Sequence, residues 1–295
     1  MKIGVFGQFF YPDSAKYIKQ LIEVAESEQV DTWFEASFLE LIKEKEEFSK
    51  KTYPSFEVLD ESFDYFFCVG GDGTILSAVK FVKDLSVPIV GINSGRLGFL
   101  ASVHKDKIQD SIREIFKGNY QKSERSLLEV KSEPSNALEG VFPYALNEIS
   151  ISRKDTTSMI TVDTWLNQAF LSSYWSDGII IATPTGSTGY SMSCGGPIIM
   201  PETASFVLTP IAPHNLNARP LVIPDSNKIK LGVKTREEKF ILSLDSRLVF
   251  LEKSTQLFIQ KASFKISLIS LHEQSFIQTL REKLLWGEDS RNPAQ

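Results

Sequence analysis

Tyr65-Phe66-Phe67-Cys68-Val69-Gly70-Gly71-Asp72-Gly73-Thr74-Ile75-Leu76-Ser77-Ala78-Val79-Lys80-Phe81-Val82 reads as a strand, a turn and the start of a helix. Residues 65–69 form a short apolar run of strand type. After the turn, apolar residues fall at 75, 76, 79 and 82, which is helical spacing. A buried strand feeding a glycine-rich turn and a helix N-terminus makes a place for phosphate, because backbone N–H groups there carry positive partial charge and glycine lets a ligand approach closely. A carboxylate at the centre of such a turn would repel phosphate if the turn only bound it. Asp72 is thus either a group that handles a proton or Mg²⁺ beside phosphates, or a helix-capping Asp in a tight turn. This stretch alone leaves both open.

The chain has 295 residues, room for two domains or one large one, and its 42% hydrophobic and 23% charged residues are ordinary for a globular protein. A net charge of −5 argues against a nucleic-acid partner. No apolar run approaches the roughly 18 residues of a membrane span, and the chain begins directly as strand Lys2-Ile3-Gly4-Val5-Phe6-Gly7 with no signal architecture, so a cytoplasmic protein without a membrane partner is expected. Cys68 and Cys194 lack the spacing of a disulfide framework or zinc site, and His104, His214 and His272 are far apart in sequence.

The first third alternates strand and helix. Strand 2–7 is followed by a helix opened by Asp13-Ser14 with Ala15, Ile18, Leu21, Ile22 and Ala25 on one face. Then come a strand from Val30 to Phe34, a charged helix from Phe38 to Phe48, the strand at 65–69, the helix at 75–84, the strand Val87–Ile92 and a helix from Lys105 to Phe116. This alternation implies a Rossmann-like parallel α/β domain, in which ligands bind beyond the carboxyl ends of the strands. Asp72 and the stretch Asn93-Ser94-Gly95-Arg96-Leu97-Gly98-Phe99-Leu100 both fall there. Beyond residue 120 helical periodicity fades. Strand-like runs at 127–130, 148–151, 161–165, 228–231 and 240–244 suggest an antiparallel β-rich, sandwich-like domain. Phe276, Leu280, Leu284 and Leu285 then form the apolar stripe of a C-terminal helix that returns to the first domain, because an amphipathic helix must bury its face. The expected domains are 1–124 plus 272–295, carrying the Gly70–Thr74 turn, and 125–271. The tail from Asp289 is expected to fray.

Asp177-Gly178-Ile179-Ile180-Ile181-Ala182-Thr183-Pro184-Thr185-Gly186-Ser187-Thr188-Gly189-Tyr190-Ser191-Met192-Ser193 is a second glycine-rich stretch. Its strand 179–182 delivers a loop dense in hydroxyls, which suits the edge of a polar ring system, with Tyr190 able to lie on its face, and which also suits a long hydrogen-bonded turn.

At this point the residues resemble a family. Gly70-Gly71-Asp72-Gly73-Thr74 is similar to a motif shared by NAD kinases, diacylglycerol-type lipid kinases and phosphofructokinases. Asn93-x-Gly95-x-Leu97-Gly98-Phe99-Leu100, Asn147-Glu148, and Asp177-Gly178 with Thr183–Thr188 resemble NAD kinases specifically, as do Pro210–His214 and Arg219-Pro220-Leu221. The matches run in order across residues 65–225. The resemblance implies Mg²⁺-dependent transfer of the γ-phosphoryl group of ATP to the 2′-hydroxyl of the adenosine ribose of NAD, giving NADP, by a homo-oligomer, a dimer or tetramer. It implies Asp72 as the catalytic carboxylate. Gly70, Gly71, Thr74 and Arg96 would meet the phosphate donor. Gly73, Phe99, Asn147, Glu148, Asp177, Thr185, Thr188, Gly189, Tyr190 and Ser193 would bind NAD, with Asn147 and Glu148 holding the ribose and adenine end and Phe99 lining the adenine site. No side chain is singled out as a metal ligand apart from Asp72 beside donor-bound Mg²⁺. Phosphoryl transfer fits these roles, needing in-line positioning and charge neutralisation more than covalent help.

Three positions depart from the family pattern: Trp175 stands where arginine is common, Gly189 where alanine is frequent, and Ser246 follows Asp245 where glycine is frequent. Asp245 is for that reason left out of the expected site. A lipid kinase would not be expected to carry the 93–100 and 183–188 motifs. A non-catalytic dinucleotide sensor would bind NAD and form no NADP.

Overall fold

The structure is a computed structural model that describes residues 1–10, 14–49, 51–95, 98–155, 158–271 and 275–285. The chain forms two compact units, one of residues 1–124 with the segment from 266 onward, the other of residues 125–265.

The first unit is a parallel α/β sheet. Strand Ile89–Asn93 pairs in parallel with Tyr65–Gly70, which pairs with Lys2–Phe6, then Asp31–Glu35, then Ser55–Phe56. On the other side of Ile89–Asn93, Leu268 near the end of strand Gln256–Ser270 pairs in parallel with Ile89. Every residue of Tyr65–Gly70 and Ile89–Asn93 is buried, which is why both read as unbroken apolar runs: helices cover both faces of such a sheet. Helix Ser14–Ser27 buries Tyr17, Ile18, Leu21, Ile22, Val24 and Ala25, and helix Ile108–Phe116 buries Ile108, Ile112 and Ile115 in the same core. Asp13, expected to open the first of these, lies outside the described residues.

The expected helix from Phe38 to Phe48 is two helices, Ala36–Lys43 and Glu46–Ser49. Ile42 and Phe48 are both buried, yet on one continuous helix at 100° per residue they would point about 120° apart. The break lets both reach the core. Glu35 caps the first helix, accepting from Phe38 N at 2.8 Å. The helix after the glycine turn starts earlier than its apolar spacing suggests, at Asp72, and ends at Val82. Helix Phe276–Leu284 packs on this unit as expected, with the rings of Phe276 and Phe99 6.2 Å apart. Leu285 is not on its apolar stripe. It is the C-cap, left-handed at φ 54° and exposed, because the last carbonyls need a reversing residue there. The tail from Asp289 lies outside the described residues.

The second unit is the antiparallel β sandwich. Among the described residues one sheet has six strands in the order Leu221–Pro224, Ser205–Ile211, Gly178–Ala182, Glu148–Ser152, Lys239–Leu244 and Arg247–Glu252. The other contains Ala169–Ser176, Ile160–Leu166, Ile229–Lys234 and the first part of Gln256–Ser270. Alternate residues from both sheets meet in one core: Ile149, Ile151, Ile179, Ile181, Phe240 and Leu242 from the first, Ile160, Val162, Leu231, Val233, Leu257 and Ile259 from the second. Gly178–Ala182 is buried on its other face too, where Ile180 and Ala182 meet Ile199 and Val207.

Lys239–Leu244 and Arg247–Glu252 pair with Leu244 opposite Arg247, so the hairpin turns on two residues, Asp245 and Ser246. Both have positive φ, 47° and 73°, as a type I′ turn requires. Serine has a Cβ that the left-handed conformation penalises, and glycine does not. Ser246→Gly is therefore expected to stabilise the protein by about 0.5–1 kcal/mol, read as a higher urea midpoint at unchanged slope. An unchanged or lower midpoint would show that the turn carries no such strain.

Candidate active site

In the first unit, Gly71 caps the helix and Asp72 is its first residue, so the carboxylate sits at the positive end of the helix dipole. The five glycines around it serve two purposes. A Cβ at Gly70 would collide with the Thr74 side chain, and one at Gly98 with the Asp72 carboxylate. At Gly71, Gly73 and Gly95, a Cβ would meet no atom within 4 Å. The first two thus let the turn and the following loop close on Thr74 and Asp72, and the others leave open space at the helix N-terminus.

Asp72 is half-buried. Its Oδ2 accepts from Phe99 N at 2.7 Å and its Oδ1 from Leu100 N at 3.1 Å. Asn93, buried at the end of its strand, accepts from Gly95 N at 2.9 Å, while its buried Nδ2 has no partner among the described residues. The structure thus brings Gly70, Gly71, Asp72, Gly73 and Thr74 together with Asn93 and Gly98–Leu100. Arg96 and Leu97 lie outside the described residues. Phe99 is half-buried, and its ring centre is 6.2 Å from that of Phe276 and 5.8 Å from the Lys283 ammonium.

In the second unit, Leu146, Asn147 and Glu148 lead into strand Glu148–Ser152, and their backbone is held on both sides. Asp245 accepts from Leu146 N at 2.6 Å, Asn147 N at 2.8 Å and Glu148 N at 3.1 Å. Thr183 Oγ1 donates to Leu146 O at 2.6 Å, and Thr183 N to Asn147 O at 2.9 Å. Gly186 N donates to Thr183 Oγ1 at 3.1 Å, and a Cβ on Gly186 would strike the Asn147 carbonyl, so the loop lies directly on that peptide. A Cβ on Gly189 would stand 3.0 Å from Glu148 Oε2 and 3.3 Å from Asn147 Nδ2, close enough that alanine would press on both side chains.

Several loop hydroxyls are used within the loop. Ser187 Oγ donates to Pro184 O at 2.7 Å and Thr188 Oγ1 to Thr185 O at 3.2 Å. Thr185 is buried, its hydroxyl reached by Arg125 Nη1 at 3.5 Å. Tyr190 and Ser193 are exposed at the two ends of the short helix Tyr190–Ser193. Asp177 is at the far end of strand Gly178–Ala182, paired with Arg153 at 2.9 Å. It is still felt at Tyr190, whose phenol is pushed up first by burial and then by Cys194 and Asp177. Trp175 is exposed, its ring 5.3 Å from His214.

Two oxygens here are buried with no partner among the described residues, Asn147 Oδ1 and Glu148 Oε2. Buried acceptors are ordinarily satisfied, so a neighbouring orphan pair is what a site for a hydrogen-bonding ligand looks like. Burial pushes the Glu148 carboxyl up from its ordinary 4.5 to about 7, the Asp245 charge adds to this, and the Tyr190 N–H opposes it. Burial also raises Asp245, against three backbone N–H groups and Arg247. Both carboxyls are thus raised by burial, and Asp245 is the one that three backbone N–H groups and Arg247 favour as the anion.

Sequence reasoning set Asp245 aside and gave Arg125 no role. Asp245 was legible as an Asp-Ser turn between alternating strands. Arg125, whose buried Nε has no partner among the described residues, carried no motif. Among the described residues there is no cluster of three or more His, Cys, Asp or Glu that would cage a metal, and no helix long and apolar enough to cross a membrane.

Comparison with known proteins places these residues in context. Residues 16–120 match the ATP-NAD kinase N-terminal domain and residues 146–271 the ATP-NAD kinase C-terminal domain. The chain is 52% identical to the NAD kinase of Christiangramia forsetii, over 99% of this chain and 100% of that protein. An NAD kinase from Archaeoglobus fulgidus, solved in complex with ATP, has 25% identity and a TM-score of 0.73, covering 97% of this chain and 99% of the other. Yeast NADH kinase complexed with NADH shares the fold, with a TM-score of 0.86 at 23% identity over 98% of this chain and 88% of the other.

The raised Glu148 carboxyl has a consequence for stability. The folded state binds this proton more tightly than the unfolded chain, so its contribution is fully present below about pH 4.5 and is lost as pH rises to about 7. Glu148→Gln removes that loss. Its melting temperature should gain on wild type steadily between these pH values and stay ahead above them, as read by scanning fluorimetry. Parallel curves would mean that Glu148 is ionised throughout.

Proposed function

The chain belongs to the NAD kinase family and phosphorylates NAD with ATP, and we propose that the γ-phosphoryl group passes to the 2′-hydroxyl of the adenosine ribose through the residues described above. The observation that carries this reading is Asp72, a carboxylate fixed by two backbone N–H groups at the mouth of a glycine turn with open space at Gly71 and Gly73.

The ribose hydroxyl is a weak nucleophile until a base takes its proton, and Asp72 is the base in this reading. As the 2′-oxygen bonds to the γ-phosphorus, the bond from that phosphorus to the β–γ bridging oxygen breaks, Asp72 takes the hydroxyl proton, and ADP and NADP are the products. The turn of Gly70, Gly71 and Thr74 supports the donor phosphates through backbone N–H groups at the helix end, with Arg96 as a further donor contact. Asn147 and Glu148 hold the ribose, using the unpaired oxygens to accept or share its hydroxyl protons. Selection of one hydroxyl over its neighbour follows from paired polar groups on both. Gly73, Asp177, Thr185, Thr188, Gly189, Tyr190 and Ser193 line the rest of the dinucleotide site, and Phe99 its adenine end.

A divalent cation, Mg²⁺ by preference, fits as a companion of the donor. Asp72 is one carboxylate beside a phosphate turn, and Mg²⁺ sites of this kind combine one or two carboxylates with substrate phosphates. The cation would neutralise charge on the transferring phosphoryl group. A homo-oligomer, dimer or tetramer, belongs to the same reading and is checked by light scattering.

The test is NADP formation from NAD, ATP and Mg²⁺ by purified protein, followed with an NADP-specific dehydrogenase. Asp72→Asn should lower kcat by about 10²-fold or more while NAD still binds. Near-normal turnover in that variant would make Asp72 structural and end the base assignment. Glu148→Gln should raise the KM for NAD and leave that for ATP nearly unchanged, and equal loss for both substrates would count against a ribose contact.

A further inference from the structure

We propose that Asp245 is a positioning residue for NAD phosphorylation, holding the backbone of residues 146–148 so that Asn147 and Glu148 present their unpaired oxygens to the ribose. This rests on the assignment of Asn147 and Glu148 to the ribose made above.

The geometry is that of a clamp. Strand Lys239–Leu244 pairs with Glu148–Ser152 up to Leu244 opposite Ile149. Where the ladder would continue, the hairpin turns, and the Asp245 side chain takes over the role of a strand. Oδ2 accepts from Leu146 N, Oδ1 accepts from both Asn147 N and Glu148 N, and Asp245 N donates back to Glu148 O at 3.2 Å. Three consecutive N–H groups are thus satisfied by one carboxylate. Thr183 occupies the carbonyls of residues 146 and 147, and Gly186 closes on the Asn147 peptide without slack.

Asp245 is 7% exposed, and a buried charge is expensive unless donors satisfy it, as these three N–H groups do. What the carboxylate adds is a fixed frame for two side chains whose oxygens have no protein partner. It also adds charge. Glu148 is faced by Asp245 from the hairpin turn and by the Tyr190 N–H from the loop helix, with Arg247 next to Asp245 and Asp177 and Cys194 grouped near Tyr190. Asp245 is the negative group that acts on Glu148 directly, so removing it makes Glu148 easier to ionise.

The test compares Asp245→Asn with wild type in steady-state assays varying NAD and ATP between about pH 5 and 9. The variant is expected to show an NAD KM raised about tenfold or more, an ATP KM within about threefold of wild type, and an unchanged circular dichroism spectrum. The limb of kcat/KM for NAD that lies near pH 7 should move to lower pH, a shift that loss of structure alone does not produce. A folded variant with an NAD KM within about twofold of wild type and a superimposable pH profile would overturn the proposal. If Asp245→Asn is insoluble, Asp245→Ser serves with the same criteria, because it removes the carboxylate and shortens the side chain. Asn147→Ala separates the two levels of inference. If it leaves the NAD KM unchanged, the ribose assignment fails. If it raises the NAD KM and Asp245→Asn does not, the clamp fails.

Discussion

A buried backbone N–H without a partner costs on the order of 1–3 kcal/mol, and residues 146–148 present three in succession just where the neighbouring strand turns away. One carboxylate from a two-residue turn answers all three. Because that carboxylate is itself buried, it demands a full set of donors in return, and it has them. The two requirements satisfy each other only in one register of strand Lys239–Leu244 against Glu148–Ser152. The loop 183–189, whose Thr183 and Gly186 rest on the same peptides, inherits that register.

Asp72 in the first unit uses the same chemistry to a different end. It too accepts backbone N–H groups from a distant loop, at Phe99 and Leu100, and Gly98 is glycine so that the loop can come that close. Asp72 is only half-buried, however, with open space at the adjoining glycines, whereas Asp245 is enclosed. A carboxylate that is held yet reachable can exchange a proton with a bound molecule. One that is held and sealed can only shape its neighbours.

The strands and helices of both units were legible because period-two and period-3.6 patterns are local and burial on one or two faces writes them directly. Asp72 was legible for the same reason: strand, glycines and helix start are contiguous. What failed were features set by contacts far away in sequence. The helix break before Glu46 depends on both Ile42 and Phe48 reaching the sheet, and Leu285 ends its helix for want of a carbonyl partner. Asp245 acts on residues 97 to 99 positions earlier, and the Ser after it, where glycine is frequent, was the ground for leaving it out of the expected site. The Ser246 departure leaves the turn type intact, since Ser246 still adopts positive φ.

The long reach of Asp245 also orders events during synthesis. As the chain leaves the ribosome, residues 146–148 emerge nearly a hundred residues before the group that satisfies them. Until residue 245 is out and the hairpin has closed, three amides wait in water and the loop 183–189 has no fixed peptide to rest on. A nascent chain can own its glycine turn early. Residues 146–148 gain their final hydrogen bonds only near the end of translation, and a chain terminated before the hairpin lacks the carboxylate that holds them.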